Sequence, residues 1–189
     1  MTADRPSPGQ AGIGAGDRSA SLAPVRFFRR ARGEAEPPAE IYLELRQQVL
    51  TLTPEQLDDA LPADEPILAL LMETGYPEAV ATLVAVADGS SSLYFSNGGG
   101  IIGAGEHASV AAASRRWPEV AHHFLPQLPA VTDPSPPEEG LTQFVGVTRD
   151  GVRSTVAPEP DLAEGRHPLS PLFHAGQGVI TQVRLIEGG

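Results

Sequence analysis

Two Asp-Gly dipeptides, each lying between strand-like runs, constrain the fold of this 189-residue chain more than any other feature. The runs are 81–87 and 90–96 around Asp88-Gly89, and Leu141–Thr148 and Val152–Pro158 around Asp150-Gly151. Asp-Gly in this context predicts a two-residue hairpin turn, because both residues tolerate a positive φ angle. We therefore expect two hairpins with the same turn chemistry, joined in one antiparallel sheet.

Three helices are predicted before the first hairpin. The first carries an apolar stripe at helical spacing, made of Ile41, Leu45, Val49 and Leu52. The second begins at Thr53-Pro54-Glu55-Gln56, a capping-box sequence with proline at the first helical position, and runs to Leu61. The third covers Glu65–Glu73, with Asp64 as its N-terminal cap and Gly75 as its C-terminal cap.

The second half of the chain adds helices around the second hairpin. An alanine-rich stretch predicts a helix over His107–Arg116, and Pro118 either kinks that helix or starts a new one over Glu119–Leu125. The segments Pro126–Glu139 and Pro160–Arg166 are predicted to be a proline-rich connector and a loop. A closing helix is predicted over His167–Ile186, in which Gly176 and Gly178 indicate either close packing against the sheet or a break.

Helices alternating with hairpins predict an α+β fold, an antiparallel sheet built from two Asp-Gly hairpins and covered by helices. Residues 38–189 form a single domain in this interpretation, and residues 1–37, poor in apolar periodicity, form a disordered tail. Two phenylalanines beside four arginines at 25–32 are interpreted as part of an inert tail. The alternative is that this patch binds an acidic surface, a membrane or the acidic body of the protein.

Charge and composition exclude several classes of function. The chain has net charge −11, and residues 37–189 hold seven arginines against twenty acids, so nucleic acid is not an expected partner. The chain has no cysteine, which excludes disulfides and thiolate sites, and it has no apolar run as long as a membrane span. We expect a cytoplasmic protein.

The first hairpin resembles the roadblock group, small proteins with a profilin-like sheet. The resemblance rests on Val84-Ala85-Val86-Ala87-Asp88-Gly89, on the strand Leu93-Tyr94-Phe95-Ser96 and on the helix that follows from His107. By element order it covers residues 76–186. It implies a homodimer with a regulatory or scaffolding role, beside a small GTPase. The N-terminal helices and the glycine loop of this chain depart from a minimal roadblock domain.

The octet Gly98–Gly105 satisfies the pattern G-x-G-x-x-G and looks like the glycine turn of flavin-binding Rossmann proteins. Its context argues against a dinucleotide site, because the preceding strand is half polar and belongs to a hairpin rather than to a βαβ unit. No parallel strand ending in an acid follows.

A weaker alternative is an anion site, since amides at a helix N-terminus attract negative charge. Its candidate residues are Gly98, Gly99, Gly100, Gly103, Gly105 and His107. The interpretation that we favour is structural: a loop or short third strand whose glycines let a neighbouring backbone approach closely.

Other site chemistries find no support in the sequence. Neighbouring His122 and His123 point about 100° apart on a helix, and His167 and His174 belong to no recognised metal motif. No G-x-S-x-G motif occurs, and Trp117 is interpreted as a core or rim aromatic residue. We therefore expect no catalytic residues, no metal and no cofactor.

The leading hypothesis is a non-enzymatic module that binds another protein, or itself as a homodimer, through a sheet edge or a helix face. The alternative is a ligand- or nucleotide-binding domain, or an enzyme, that uses the loop at 98–105.

Overall fold

The computed structural model describes residues 38–57 and 66–187. Within them the chain folds as α+β, with four α-helices, six strands and three short 3-10 turns. The helices are α1 (Glu40–Leu50), α2 (Ala108–His122), α3 (Glu159–Ala163) and α4 (Ser170–Glu187). The strands are β1 (Ile67–Gly75), β2 (Val80–Val86), β3 (Ser91–Phe95), β4 (Gly100–Ile101), β5 (Leu141–Thr148) and β6 (Gly151–Pro158). The predicted tail, 1–37, lies outside the described residues.

All six strands form one antiparallel sheet in the order β4-β3-β2-β1-β5-β6. The two predicted hairpins are β2–β3 and β5–β6, and β1 joins them by pairing with β2 on one side and β5 on the other. The α+β prediction is therefore confirmed, with β1 as an additional strand at the centre of the sheet.

The turns differ in detail from the predicted two-residue Asp-Gly loops. Val86 donates to the Ser90 carbonyl at 2.9 Å and accepts from Gly89 at 2.9 Å, so the first loop has three residues, 87–89. In the second hairpin Gly151 already pairs with Thr148, which leaves Arg149 and Asp150 as the loop. In both turns only the glycine has a positive φ angle, +96° at Gly89 and +115° at Gly151. The aspartates do not share that conformation.

The predicted third helix, Glu65–Glu73, is wrong, because Ile67–Gly75 is strand β1. Every residue of β1 is buried, since the strand lies between two neighbours and both faces of the sheet are covered. Such a strand has an unbroken apolar run instead of an alternating one, and periodicity does not distinguish it from a buried helix. Gly75 ends a strand rather than a helix, while Asp64 and Glu65 lie outside the described residues.

The first helix is present, but it is rotated from the predicted orientation. Its buried residues are Tyr42, Arg46 and Leu50, whereas Ile41 is 51% exposed. Leu45, Val49 and Leu52, the rest of the predicted stripe, are only partly buried at its flank. The sheet thus faces an arginine in place of the expected isoleucine.

The remaining helical predictions hold with changed boundaries. The predicted capping box is present, because Thr53 N–H donates to Gln56 Oε1 at 2.8 Å. The helix that follows is only a 3-10 turn over Pro54–Gln56. Residues 58–61 of the predicted helix lie outside the described residues. Helix α2 continues through Pro118 to His122 without a new start. The predicted loop at Pro160–Arg166 is helical over its first four residues, which belong to α3, and the closing helix begins at Ser170.

The sheet has a core on each face. Helices α2, α3 and α4 pack on one face over Leu70, Met72 and Phe144. Trp117 belongs to this core, is 1% exposed and donates from Nε1 to the Leu172 carbonyl at 3.0 Å.

On the opposite face, α1 and the turn after it cover Leu71, Val84, Tyr94, Val145 and Val147. The α1 face is the one that carries the buried charged residues, Arg46 and Glu73.

Candidate functional site

The glycine octet forms a hairpin turn, an edge strand and a 3-10 turn. Gly98 N–H donates to the Phe95 carbonyl at 3.0 Å, and Phe95 N–H donates to the Gly99 carbonyl at 2.8 Å, which closes the turn. Gly100–Ile101 then pairs with β3 as the edge strand β4. Strand β3 is antiparallel to both of its neighbours, so the octet does not follow a strand of a parallel sheet.

Backbone conformation and close backbone packing explain why glycine occurs at Gly103 and Gly105, in the second half of the octet. Gly103 has φ +77° and precedes the 3-10 turn Ala104–Glu106. A Cβ at Gly105 would overlap the carbonyl oxygen of Gly89 in the first hairpin turn. The amides of Glu106 and His107 donate to the carbonyls of Gly103 and Ala104, at 3.1 and 3.2 Å. These amides are therefore engaged within the turn.

The structure divides the predicted anion residues between two places. Gly98, Gly99 and Gly100 border a shallow pocket of about 130 Å³, whereas Gly103, Gly105 and the exposed His107 do not line it. The other side of this pocket is α1. Its lining residues are Ile41, Tyr42, Leu45, Tyr94, Phe95, Gly98, Gly99, Gly100 and Ile102.

Two large aliphatic side chains stand exposed at this pocket. Ile41 on α1 is 51% exposed and Ile102, directly after β4, is 59% exposed. No residue that lines the pocket is charged. We call this surface, formed by the nine lining residues, the Ile41–Ile102 patch. It combines an apolar hollow with protruding isoleucines at one edge of the sheet.

Beneath α1, a row of polar side chains crosses the middle of the sheet. Tyr94 on β3 pairs with Thr82 on β2, Thr82 pairs with Glu73 on β1, and Glu73 pairs with Gln143 on β5. All four residues are buried, and Glu73 and Thr82 are 0% exposed. A carboxylate at the centre of a sheet needs a partner, because burying an unpaired charge is costly.

Arg46 of α1 supplies that partner. Its Nε and Nη2 donate to the two carboxylate oxygens of Glu73, each at 2.8 Å, and Nη2 also donates to the Pro134 carbonyl at 2.6 Å. Thr82 Oγ1 and Tyr42 Oη donate to Glu73 Oε1 at 3.2 and 3.4 Å. This two-pronged geometry is the strongest form of an arginine–carboxylate pair.

The environment keeps the two neighbouring phenols protonated. Burial raises the pKa of Tyr42 to about 12, and the nearby Glu73 charge adds to the rise. Burial and the same charge raise the pKa of Tyr94. Burial alone would lower the pKa of Arg46, but the hydrogen bond and the charge of Glu73 raise it overall. The site is thus a neutral pair of phenols beside a tightly matched ion pair.

Two polar atoms of the row have no hydrogen-bond partner within the described part of the chain. They are Tyr94 Oη and Gln143 Oε1, although Gln143 Nε2 donates to Ser154 Oγ at 2.7 Å. They lie on β3 and β5, on opposite sides of β1 and β2 in the sheet.

Sequence reasoning missed both charged members of this cluster. The sequence pattern places Glu73 at the end of a predicted helix, and it does not distinguish Arg46 from the other arginines of the chain. The available signal was one glutamate after six apolar residues in Ile67-Leu68-Ala69-Leu70-Leu71-Met72-Glu73, which indicates that a buried cation must be supplied from elsewhere in the chain.

Other chemistry is not assembled in the two described ranges. No group of three or more His, Asp or Glu side chains in residues 38–57 and 66–187 could hold a metal ion. Over the same ranges, no helix is long and apolar enough to cross a membrane. A second groove, of about 400 Å³, runs between α2 and α4 along Ser109, Ala113, Arg116 and Gly178, with Trp117 at its wall.

Comparisons of the chain with protein-family models, with curated proteins and with solved structures give no significant match. Function is therefore inferred from the geometry of the Ile41–Ile102 patch and of the polar row beneath α1.

Proposed function

We propose that this protein is a non-enzymatic binding module that self-associates through the Ile41–Ile102 patch. The observation that carries the proposal is the exposure of Ile41 and Ile102, 51% and 59%, around one uncharged hollow. Exposed apolar surface that is contiguous is a mark of protein contact sites, whereas scattered apolar residues are not.

A second copy of the chain suits this surface, because the surface has both a protruding side chain and a hollow that could receive one. Ile102 protrudes at the rim of the hollow that it helps to line. In a two-fold contact the same patch meets itself, so a protruding side chain of each copy enters the hollow of the other. A homodimer is also what the resemblance to roadblock proteins implies.

Charge supports this location for a contact between identical chains. Residues 37–189 hold seven arginines against twenty acids, so two copies repel each other over most of their surface. The residues lining the patch include none with a charged side chain, so the hollow itself places no charge in the contact. The small size of the hollow predicts a weak dimer.

The experiment is sedimentation equilibrium of the full chain from about 10 to about 500 µM, a range suited to a small interface. We expect the mass of the wild-type protein to rise from monomer toward dimer. Ile102→Glu places a charge in the hollow and is expected to remain monomeric throughout.

The matched control is Leu185→Glu, which adds the same charge at a leucine on α4 that is 65% exposed. Helix α4 covers the opposite face of the sheet from α1, so this variant is expected to associate like the wild-type protein. A wild-type protein that stays monomeric at every concentration contradicts the proposal. Equal loss of association in both variants contradicts the choice of surface.

A further inference from the structure

The sequence of α1 is compatible with two different orientations of the helix on the sheet. One candidate inner face is the apolar stripe Ile41, Leu45, Val49 and Leu52. The other, which the structure uses, is Tyr42, Arg46 and Leu50. The two stripes are offset by one residue, which corresponds to a rotation of about 100° around the helix axis.

Hydrophobic burial alone favours the stripe that is not used. In the observed orientation, Arg46 is 6% exposed and Ile41 is 51% exposed, the reverse of what transfer from water favours. Something other than apolar area must therefore select the observed face.

Glu73 is placed where it can make that selection. It is 0% exposed in the central strand, and both of its carboxylate oxygens accept from Arg46 at 2.8 Å. Turning α1 toward the apolar stripe would withdraw the guanidinium and leave a buried carboxylate without its cation, a loss larger than the gain from burying one isoleucine. Buried ion pairs contribute little net stability, but they are well suited to specifying one packing arrangement over another.

We infer that the Arg46–Glu73 pair sets the rotation of α1 and thereby keeps Ile41 at the surface, where it forms the Ile41–Ile102 patch. Without the charge on Glu73, α1 turns toward the apolar stripe, which brings Arg46 to solvent and Ile41 against the sheet. Arg46 and Glu73 are positioning residues in this view. The consequence for self-association rests on the proposed function, but the rotation itself does not.

Single-cysteine labelling measures the rotation directly, because the natural chain has no cysteine. Ile41→Cys and Leu43→Cys each place one thiol on α1, at residues 51% and 47% exposed. These positions lie on opposite flanks of the buried face. The rate of reaction with a small disulfide reagent is measured with and without Glu73→Met. All proteins carry Ile102→Glu, so that self-association through the patch does not alter access to the thiol.

Rotation predicts opposite behaviour at the two thiols. With Glu73→Met, the thiol at 41 is expected to react at least about tenfold more slowly, while the thiol at 43 reacts as fast as before or faster. Adding Arg46→Met removes the unpaired buried cation and makes the observed inner face of α1 apolar as well. The double variant is therefore expected to label like the parent at both positions. Near-ultraviolet circular dichroism confirms that each variant is folded, and Glu73→Gln replaces Glu73→Met if the latter does not fold.

Two results overturn the inference. Unchanged labelling at 41 in the Glu73→Met single variant shows that α1 keeps its orientation even when Arg46 has lost its anion. Faster labelling at both positions shows that α1 detaches instead of turning. Because these rates are measured in the Ile102→Glu background, either failure is distinguishable from failure of the proposed self-association, which sedimentation tests separately.

Discussion

Two glycines on α4, Gly176 and Gly178, allow a matched test of how the helical layer packs on the sheet. A Cβ built at Gly176 lies 2.9 Å from Met72 Sδ and 2.9 Å from Trp117 Cζ2. A Cβ at Gly178 meets nothing within 4 Å. The perturbation is the same in both cases, glycine to alanine on one helix, two residues apart.

The structure separates the two contributions to each change in stability. Alanine stabilises a helix interior by about 1 kcal/mol relative to glycine, and this contribution is common to both variants. At Gly176 the added methyl group must displace Met72 or Trp117, which are 2% and 1% exposed, and such overpacking costs about 1–3 kcal/mol. We expect Gly178→Ala to be more stable than wild type by about 1 kcal/mol. Gly176→Ala is expected to lie about 1–3 kcal/mol below Gly178→Ala, since only the overpacking cost differs between them.

Urea unfolding followed by tryptophan fluorescence measures both variants, because the chain has one tryptophan and it is in the contact. The free energies of unfolding are compared at equal m-value, so that a difference reports the folded state. Equal stabilisation of both variants would refute the reasoning, since it would mean that α4 does not press on Met72 and Trp117. A destabilised Gly178→Ala would refute the helical assignment of that residue.

Four further predictions concern the polar row, the tail and the glycine loop. Arg46→Met alone should lower the free energy of unfolding in urea by about 3–5 kcal/mol, because it leaves Glu73 buried without a cation, and adding Glu73→Met should recover most of that loss. The pKa of Tyr42 in the folded state is raised from 10.0 to about 12. Its contribution to the free energy of unfolding is therefore complete below pH 10 and is lost as the pH rises toward 12. Urea midpoints measured at pH 9 and at pH 11 should differ less in Tyr42→Phe than in the wild-type protein. A chain that starts at residue 38 should keep its thermal midpoint within about 2 °C, and a larger drop would show that residues 1–37 contact the folded body. Titration with flavin or nicotinamide nucleotides at micromolar concentration should give no saturable signal, whereas a co-purifying yellow cofactor would contradict the structural interpretation of Gly98–Gly105.

Local chemistry was enough to predict the hairpins and most of the helices. Strand β5 has the predicted bounds, Leu141–Thr148, and both Asp-Gly hairpins lie in one antiparallel sheet. These signals are local, since an Asp-Gly dipeptide and the alternating residues beside it act over a few positions. The residues that form each loop were predicted less accurately, because the loop depends on the pairing register of the whole strand.

The glycine octet was predicted in outline and completed by contacts far along the chain. Its context in the sequence already argued against a parallel nucleotide-binding unit, and the structure places Gly100–Ile101 in a short antiparallel edge strand. The contact of Gly105 with Gly89 joins two turns that are sixteen residues apart, and no local pattern encodes it.

Only the tertiary structure decided the identity of β1 and the rotation of α1. An apolar run of this length suits a helix or a central strand equally, and the choice was made by β2 and β5, which pair with it on both sides. The amphipathic pattern of residues 41–52 predicted the helix but not its inner face. That face is set by Glu73, twenty-seven residues from Arg46, because leaving a buried carboxylate without its cation costs more free energy than leaving Ile41 exposed.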